Sequence, residues 1–462
     1  VAYSQYTLGS LSDQLGVLLD DERGLYWSTS EKYYAIWEAL RVWGALTSYW
    51  RARGSITANP ELTWADLTFP WSSANFPWNS SPLHTWYDLS AVLPTLRTRT
   101  WTLNQLTQEI QFACLEAANG ISGAGMSGQI SIASVLRSIQ RARNQFVIDS
   151  RFPYIVSYLP QTPPPPQGTL VLPNTIVYTH RLAWRDQWNG EWTNLWRTDE
   201  WATDHADPDW TLKPGSPLQY SESELAPLTV QFSPAPQNPG VLEVVSVNSL
   251  QIDLDNPNAL FQVPDEWIHA IKYAALQDIF SAESQNKDTL RAQYCQMRYE
   301  QAMDFAKNAR SLIRLMLNGV PLPIDSMAAI DSGIPFWRNQ AARPYLAGAL
   351  YDMFALAPVP DRAYGLTADV VQSAPIPLAA TDPIPLGPED IPHIIDYVTH
   401  ILTFKCGGKE FQDSFAQYDS FLSAVEGRVG IDKVKLRYLS PLLGQAQKET
   451  AERPDKMEKV NA

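Results

Sequence analysis

The 462-residue sequence is poor in charge, poor in cysteine and without any long apolar run. Asp, Glu, Lys and Arg make up only 18% of it, and with 17 Trp and 20 Tyr this excludes a disordered, solvated chain. Cations are the scarcer sign, 35 against 49 acids. The net charge of −14 excludes non-specific adhesion to nucleic acid, which needs Lys and Arg to displace counterions. Cys114, Cys295 and Cys406 stand far apart without metal-ligand spacing, so no disulfide framework follows and a reducing compartment is expected. No apolar stretch approaches the roughly 20 residues of a membrane-spanning helix. No basic region followed by an apolar one opens the chain, so no signal peptide is expected. Nor is there a Gly-x-Ser-x-Gly elbow or a Cys-x-x-Cys pair. These absences predict a soluble intracellular product.

What the sequence does contain is a passage written twice. Pro264, His269, Ile271, Tyr273, Phe280 and Tyr294 recur as Pro388, His393, Ile395, Tyr397, Phe404 and Tyr418, each 124 residues on. Upstream, Pro234-Ala-Pro236 meets Pro358-Val-Pro360 in the same register. A period this long bears on the fold before any local signal does. It predicts a duplicated module of strands ending in a Pro-x-Pro turn, then a helix pair. Pro264 suits a first helical turn, and the acids after it suit the positive end of the helix dipole.

Residues 1–160 read as mainly helical, with a small β or loop excursion over 54–98. Ser28-Thr-Ser-Glu31 and Thr102-Leu-Asn-Gln105 are capping boxes. After the first, Tyr33, Ile36, Trp37, Leu40 and Trp43 give one apolar helical stripe. A third helix turns Ile132, Val135, Leu136, Ile139 and Phe146 inward and stops before Pro153. The proline run in 161–167 is a stiff spacer into a β-sandwich over 161–262, whose runs 170–172, 176–178, 228–232 and 242–247 alternate with turns as antiparallel strands do. Trp184, Trp188, Trp192 and Trp196 sit four apart, but Asn189-Gly190 between them favours a hairpin with a type I′ turn. A helix pair follows over 263–317, a shorter β region over 318–386, a second helix pair over 387–444 and a polar arm over 445–462. The fold class is α+β: a helical bundle with an inserted antiparallel β-sandwich, followed by a duplicated strand-plus-helix-pair module.

Candidate chemistry is sparse. Gly123-Ala-Gly125-Met-Ser-Gly128 matches a dinucleotide fingerprint in letters, yet a helix precedes it where a strand is required, so a linker is the reading. Asp204, His205, Asp207 and Asp209 form the densest group of potential metal ligands. That loop lacks the glycine and closing Glu of an EF-hand, and acidic turns use the same residues. His269 and His393 occupy equivalent repeat positions among apolar neighbours and read as packing residues; His400 shares a face with His393 but has no third ligand. Arg137, Arg141 and Arg143 make a basic helix face, solvated or paired with surplus acids, or else a docking surface for an acidic partner. Neither a catalytic residue nor a cofactor follows from these groups.

The sequence also resembles a known family. Trp27-Ser-Thr-Ser-Glu31, Trp196-Arg-Thr-Asp-Glu-Trp201, Gly215-Ser-Pro-Leu-Gln-Tyr220, Pro234-Ala-Pro236, Pro264-Asp-Glu-Trp-Ile-His269 and the helix with Tyr294 and Arg298-Tyr299 are similar to the head-to-tail adaptor, or neck, proteins of tailed and especially short-tailed bacteriophages. The resemblance covers about 130 to 425. It implies a non-enzymatic virion protein at the neck, made in the host cytoplasm, that forms a ring of twelve copies between the portal protein and the tail or nozzle proteins. Double-stranded DNA would pass through without sequence recognition, and no membrane or cofactor would be involved. In that setting the polar arm, with Gln445, Lys448, Arg453, Lys456 and Lys459, is expected to dock on the portal. The rival reading is a tail-associated carbohydrate-binding or glycan-degrading protein, motivated by the tryptophans. A further rival is a metal-dependent hydrolase centred on Asp204 and Asp207.

Overall fold

A computed structural model describes residues 6–58, 86–89, 99–115, 130–151, 153–161, 168–188, 190–210, 213–222, 228–249, 252–282, 287–309, 311–334 and 336–429. The fold is mixed α and β. The chain opens with helices α1 (Leu8–Leu18) and α2 (Thr29–Thr47) and strands β1 (Arg51–Ala58) and β2 (Trp86–Asp88). Next come α3 (Leu103–Ala113), α4 (Ile132–Ser150), β3 (Tyr154–Gln161), β4 (Thr169–Val171), β5 (Ile176–Asp186), β6 (Trp192–Thr198) and α5 (Glu200–Ala206). Strands β7 (Pro214–Gly215), β8 (Gln219–Glu222), β9 (Thr229–Ser233), β10 (Ala235–Pro236) and β11 (Gly240–Asn248) lead into α6 (Ile268–Ser281) and α7 (Thr289–Asn308). Then follow β12 (Leu312–Leu317), β13 (Val320–Leu322), β14 (Ile324–Asp325) and α8 (Met327–Gly333). The described chain closes with β15 (Ala341–Ala342), β16 (Leu346–Leu350), β17 (Met353–Ala357), β18 (Val359–Pro360), β19 (Tyr364–Val371), α9 (Ile391–Thr403), α10 (Gly408–Asp413) and α11 (Phe415–Val429).

The duplication reaches well beyond the helix pairs. β11 begins at 240 and β19 at 364, the 124-residue offset of the sequence repeat. Their neighbours repeat as well. Trp184 faces Leu242 as Leu317 faces Leu366, and both ladders skip one residue at the same place, opposite Val245–Ser246 and between Leu312 and Arg314. Arg197 pairs in parallel with Tyr220 as Ile324 does with Ala347, and β7 lies parallel to β10 as β15 does to β18. The sheet order β3-β11-β5-β6-β8-β9-β4 recurs as β1-β19-β12-β13 and β14-β16-β17-β2, with the counterpart of β6 broken into β13 and β14.

The first helices repeat too. α2 and α4 each have 19 residues, a serine N-cap (Ser28, Ser131) and a left-handed C-cap (Ser48, Arg151). α1 and α3 each have 11 residues and a threonine capping box, Thr7 with Ser10 and Thr102 with Gln105. The described chain is therefore two copies of one module, the second nested in the first. An inner module runs from Thr102 to Asn308, and an outer module consists of 7–89 and 311–429. The inner module enters where its own β4 passes to β5.

Several expectations are corrected. The helical N-terminal region 1–160 divides, with α1, α2 and β1 serving the outer module and the rest the inner. β1 is not part of a local excursion: it pairs over its whole length with β19, Arg51 to Val371 through Ala58 to Tyr364. Long-range pairing of this kind leaves no local signal. The seven-stranded sheet is antiparallel except at β6–β8. β5 and β6 do form a hairpin, but Arg185 faces Trp192, so the link is longer than a two-residue turn. α2 has no single stripe; Glu31, Lys32, Glu38 and Arg41 are buried along with its apolar residues. It lies against α1, α3, α9 and α11 at once. The second β region begins at Leu312, inside the span assigned to a helix pair. The glycine motif at 123–128 and the run 162–167 lie outside the described residues.

One apolar cluster joins the helices of both modules, around Trp43, Phe146, Trp267, Tyr294 and Phe421. Two others fill the sheets of the outer and inner modules. A fourth, with Trp86, Val245, Met327 and Trp337, lies where the outer module covers the inner sheet.

Candidate functional site

The helical core holds an unusual amount of charge. Glu38 of α2 is fully buried and ion-paired with Lys272 of α6. Tyr273 and Tyr397 each donate to its Oε1 at 2.8 Å. Lys272 also reaches Glu109 at 3.4 Å, and Arg41 pairs with Glu109 at 3.4 Å while lying 3.8 Å over the Trp101 ring. Arg298 donates to Tyr294 at 2.8 Å and to the Tyr397 hydroxyl. His400 bridges Ser414 Oγ at 2.8 Å and the Tyr294 hydroxyl at 2.9 Å.

Burial opposes the charge on Glu38, yet Lys272 and Arg298 outweigh it and hold that carboxyl below its usual range. For Glu109 burial wins and pushes the carboxyl up, against the pull of Lys272 and Arg41. Burial, reinforced by Arg298, brings His400 and His269 down to about 3, so both imidazoles are neutral at ordinary pH. A small cleft beside this network is lined by Glu31, Tyr34, Glu109, Lys272 and Lys405. Its charges are already matched: Lys405 pairs with Glu31 at 2.9 Å, and Lys272 with Glu109. No motif or spacing in the sequence marks this network. The available signal was a charge set between apolar helix neighbours, as Glu38 is between Trp37 and Ala39.

The residues singled out from sequence have local employment. Asp204 accepts from Trp210 Nε1 at 2.7 Å, and Asp207 takes Lys213 Nζ at 2.6 Å, whose hydrogen bond holds its carboxyl down. His205 stacks on Trp201 at 5.8 Å, and the Asp209 amide donates to Asp207. Among the described residues no three His, Cys, Asp or Glu converge as metal ligands. Arg137, Arg141 and Arg143 do not share a face. Arg143 is buried, which brings its guanidinium down to about 10, while Arg141 is exposed and pairs with Asp278 at 3.0 Å. Arg137 is exposed and bonds the Ala133 carbonyl. His393 stacks on Trp43, and His269 lies beside Trp267. Gln445, Lys448, Arg453, Lys456 and Lys459 lie outside the described residues.

The two sheets present unlike outer faces. On the inner module, Tyr154, Val156, Arg181 and Glu243 are covered by the outer module. Asp331, just after the middle of α8, takes Arg181 at 2.7 Å, Asn194 at 2.9 Å and the Trp337 indole at 2.9 Å. Glu243 takes Arg338 at 2.6 Å and the Trp86 indole at 3.0 Å. Asn339 exchanges two hydrogen bonds with the Trp192 backbone.

The matching face of the outer module is exposed and polar. There Arg53 and Arg314 each reach Asp369 at 2.6 Å, and they hold its carboxyl below the usual range. Large apolar side chains are exposed on the inner module, among them Trp188 (80%), Trp201 (78%) and Trp196 (60%). Among the described residues no helix is long and apolar enough to cross a membrane. The chain matches no protein-family model and no curated protein.

Proposed function

We propose that this chain is a structural subunit that assembles with its own copies, as a ring-forming head-to-tail adaptor between the portal and the tail of a bacteriophage. In this reading the helices of both modules form a rigid bundle and the β regions carry the contacts with neighbours and with the portal and tail proteins. The observation that carries the reading is the exposure of Trp188, Trp196 and Trp201 on one module. Exposed indoles of this size mark protein contacts more often than bare surface. The buried polar groups support it. Glu38 pairs with Lys272 inside the helical core, and Arg298 and His400 join the same network through the Tyr294 and Tyr397 hydroxyls, where together they fix one packing of the two modules. The acidic balance suits a conduit that must not hold DNA. The expected ring has twelve copies, lies in the virion neck and carries no catalytic group.

Particle imaging of the purified chain tests this: closed rings with a central channel are expected. A population that stays single at every concentration would sink the reading. The same exposed indoles favour one second reading, a tail-associated glycan binder in which a sugar stacks on Trp188. Trp192, on the same hairpin, is buried and offers no such platform. Quenching of tryptophan fluorescence by host-surface glycans, lost in Trp188→Ala, would favour that alternative.

A further inference from the structure

The contact between the modules is made once, although the chain contains the parts for making it twice. Arg181 of β5 stands opposite Val245, and Arg314 of β12 stands opposite Asp369, at the same step of the repeated ladder. Asp331 of α8 accepts the indole of Trp337 six residues on, and Asp204 of α5 accepts that of Trp210 six residues on. Arg181 and Asp331 are therefore matched, position for position, by Arg314 and Asp204. The first two form an ion pair at 2.7 Å. The second two do not meet: Arg314 turns to Asp369, and Asp204 is exposed at its indole.

A two-fold relation between the modules would have formed both contacts. The relation is thus heterologous, and it leaves one docking helix and one receiving sheet face uncovered among the described residues. A heterologous contact that recurs builds a ring or a filament.

The two uncovered halves have diverged in complementary directions. Where the inner sheet face offers Tyr154, Val156 and Val245, the outer face offers Arg51, Arg53 and Asp369. With Arg314 this makes three cations against one acid, at exposed or half-buried positions. The docking segment has changed to suit. The span 199–209 carries Asp199, Glu200, Asp204, Asp207 and Asp209, whereas the matching span 326–336 carries Asp331 alone. Among the described residues only Asp207 of these five pairs with a cation, Lys213.

We infer that the α5 segment of one copy seats on the β1–β19–β12 face of the next, with Asp204 against Arg314, repeating between chains the contact that α8 makes within the chain. This rests on the reading of the protein as a self-assembling subunit and names its lateral contact. Because the charges of the receiving face are exposed, whereas the ion pairs of the internal contact are buried beside Tyr154, Val156 and Val245, the contact between copies weakens with salt more than the internal one.

Sedimentation velocity on the full chain, over a range of concentration and salt, tests the assignment. Arg314→Glu removes the receiving cation from an exposed strand position, and Asp204→Asn removes the charge but keeps an acceptor for Trp210. Each is expected to weaken association at least tenfold. Asp204→Lys is expected to weaken it as much on its own, and Asp204→Lys and Arg314→Glu are expected to restore it when combined in one chain or mixed as two chains. Unchanged thermal melting of Arg314→Glu confirms that the fold is intact.

Assembly that ignores every one of these substitutions overturns the contact and leaves the assembling reading standing. A wild-type chain that never associates overturns both. If duplex DNA binds the wild type and not Arg314→Glu, with association unaltered, the basic face serves nucleic acid and the contact is overturned.

Discussion

Tyr273 and Tyr397, equivalent residues of the two modules, donate their hydroxyls to the same oxygen, Glu38 Oε1, each at 2.8 Å. One carboxylate thus ties both helix pairs together. Arg298 stands beside it over the faces of Tyr273, at 4.6 Å, and Tyr418, at 4.9 Å. Leu422 is the outer-module counterpart of that arginine, 124 residues on, so the junction between the copies is asymmetric at its centre.

Glu38→Leu leaves Lys272 only the more distant Glu109, which Arg41 shares, and takes from the buried Arg298 the carboxylate beside it. An uncompensated charge of this kind costs about 3–5 kcal/mol. Urea denaturation is expected to show that loss, and Lys272→Met added to Glu38→Leu is expected to recover part of it. A double variant no more stable than the single one would show that Lys272 does not depend on Glu38.

Acid should loosen the helical core through its histidines. His269 and His400 have folded-state values of about 3 against an ordinary 6.5, so the unfolded chain takes up protons that the folded chain refuses. Their contribution to stability is complete above 6.5 and is lost as pH falls from there toward 3. The slope reaches about 1.4 kcal/mol per pH unit for each. Glu109, pushed up by burial, titrates with the opposite sign above its ordinary 4.5 and offsets part of this, while Glu38, held down, loses its share only below 4.5. His400 faces Tyr294, Ser414, Phe411 and Tyr418, with the Arg298 charge nearby. Urea midpoints taken stepwise through this range should therefore fall with pH, and His400→Gln should remove about one proton from the slope. A slope identical in wild type and variant would refute the assignment.

Repeat-equivalent aspartates should differ sharply in cost. Asp331→Ala strands the buried Arg181 and frees Asn194 and the Trp337 indole, and should cost about 3–5 kcal/mol. Asp204→Ala removes one indole hydrogen bond, worth about 1 kcal/mol. Parallel chemical denaturation of the two variants measures the difference; equal losses would mean that the contact between the modules contributes little.

Gly240→Ala should destabilise the inner sheet. A Cβ there would lie 2.4 Å from Trp184 Cζ2 and 2.5 Å from the Arg185 carbonyl oxygen. Overpacking of this kind costs about 1–3 kcal/mol. The outer module tolerates Tyr364 at the matching position because Leu317 stands where Trp184 does. Combining Gly240→Ala with Trp184→Leu is expected to relieve the clash with the indole and leave that with the Arg185 carbonyl, so that thermal melting recovers in part.

Much of the local structure was legible in the sequence. The helix starts at Ser28 and Thr102 follow from hydroxyls that cap orphan amides, and such bonds reach no further than three residues. β9 and β11 follow from β-branched and apolar runs between turns. The 124-residue period was legible wherever rings and prolines are kept, as at Tyr273 and Tyr397. It faded before the β region, where helix and strand counterparts keep their lengths and caps but not their letters. Shape can be preserved by a pattern of burial alone, and loops of different length shift the register from one element to the next. The nested arrangement was hidden for that reason. Asp204 shows the same limit: its acidic neighbours suggested a metal, but a hydrogen bond to Trp210 and the counterpart pair at Asp331 explain it better.

The sequence by itself determined where chain segments turn helical or extended, because capping, periodicity and turn chemistry act within a few residues. It also determined that one module was copied. Only the tertiary structure decided that β1 belongs with β19 and that Glu38 meets Lys272. The same holds for one sheet face being covered while its twin stays bare among the described residues. Those outcomes depend on which surfaces, hundreds of residues apart, exclude water together, and no local pattern encodes such a choice.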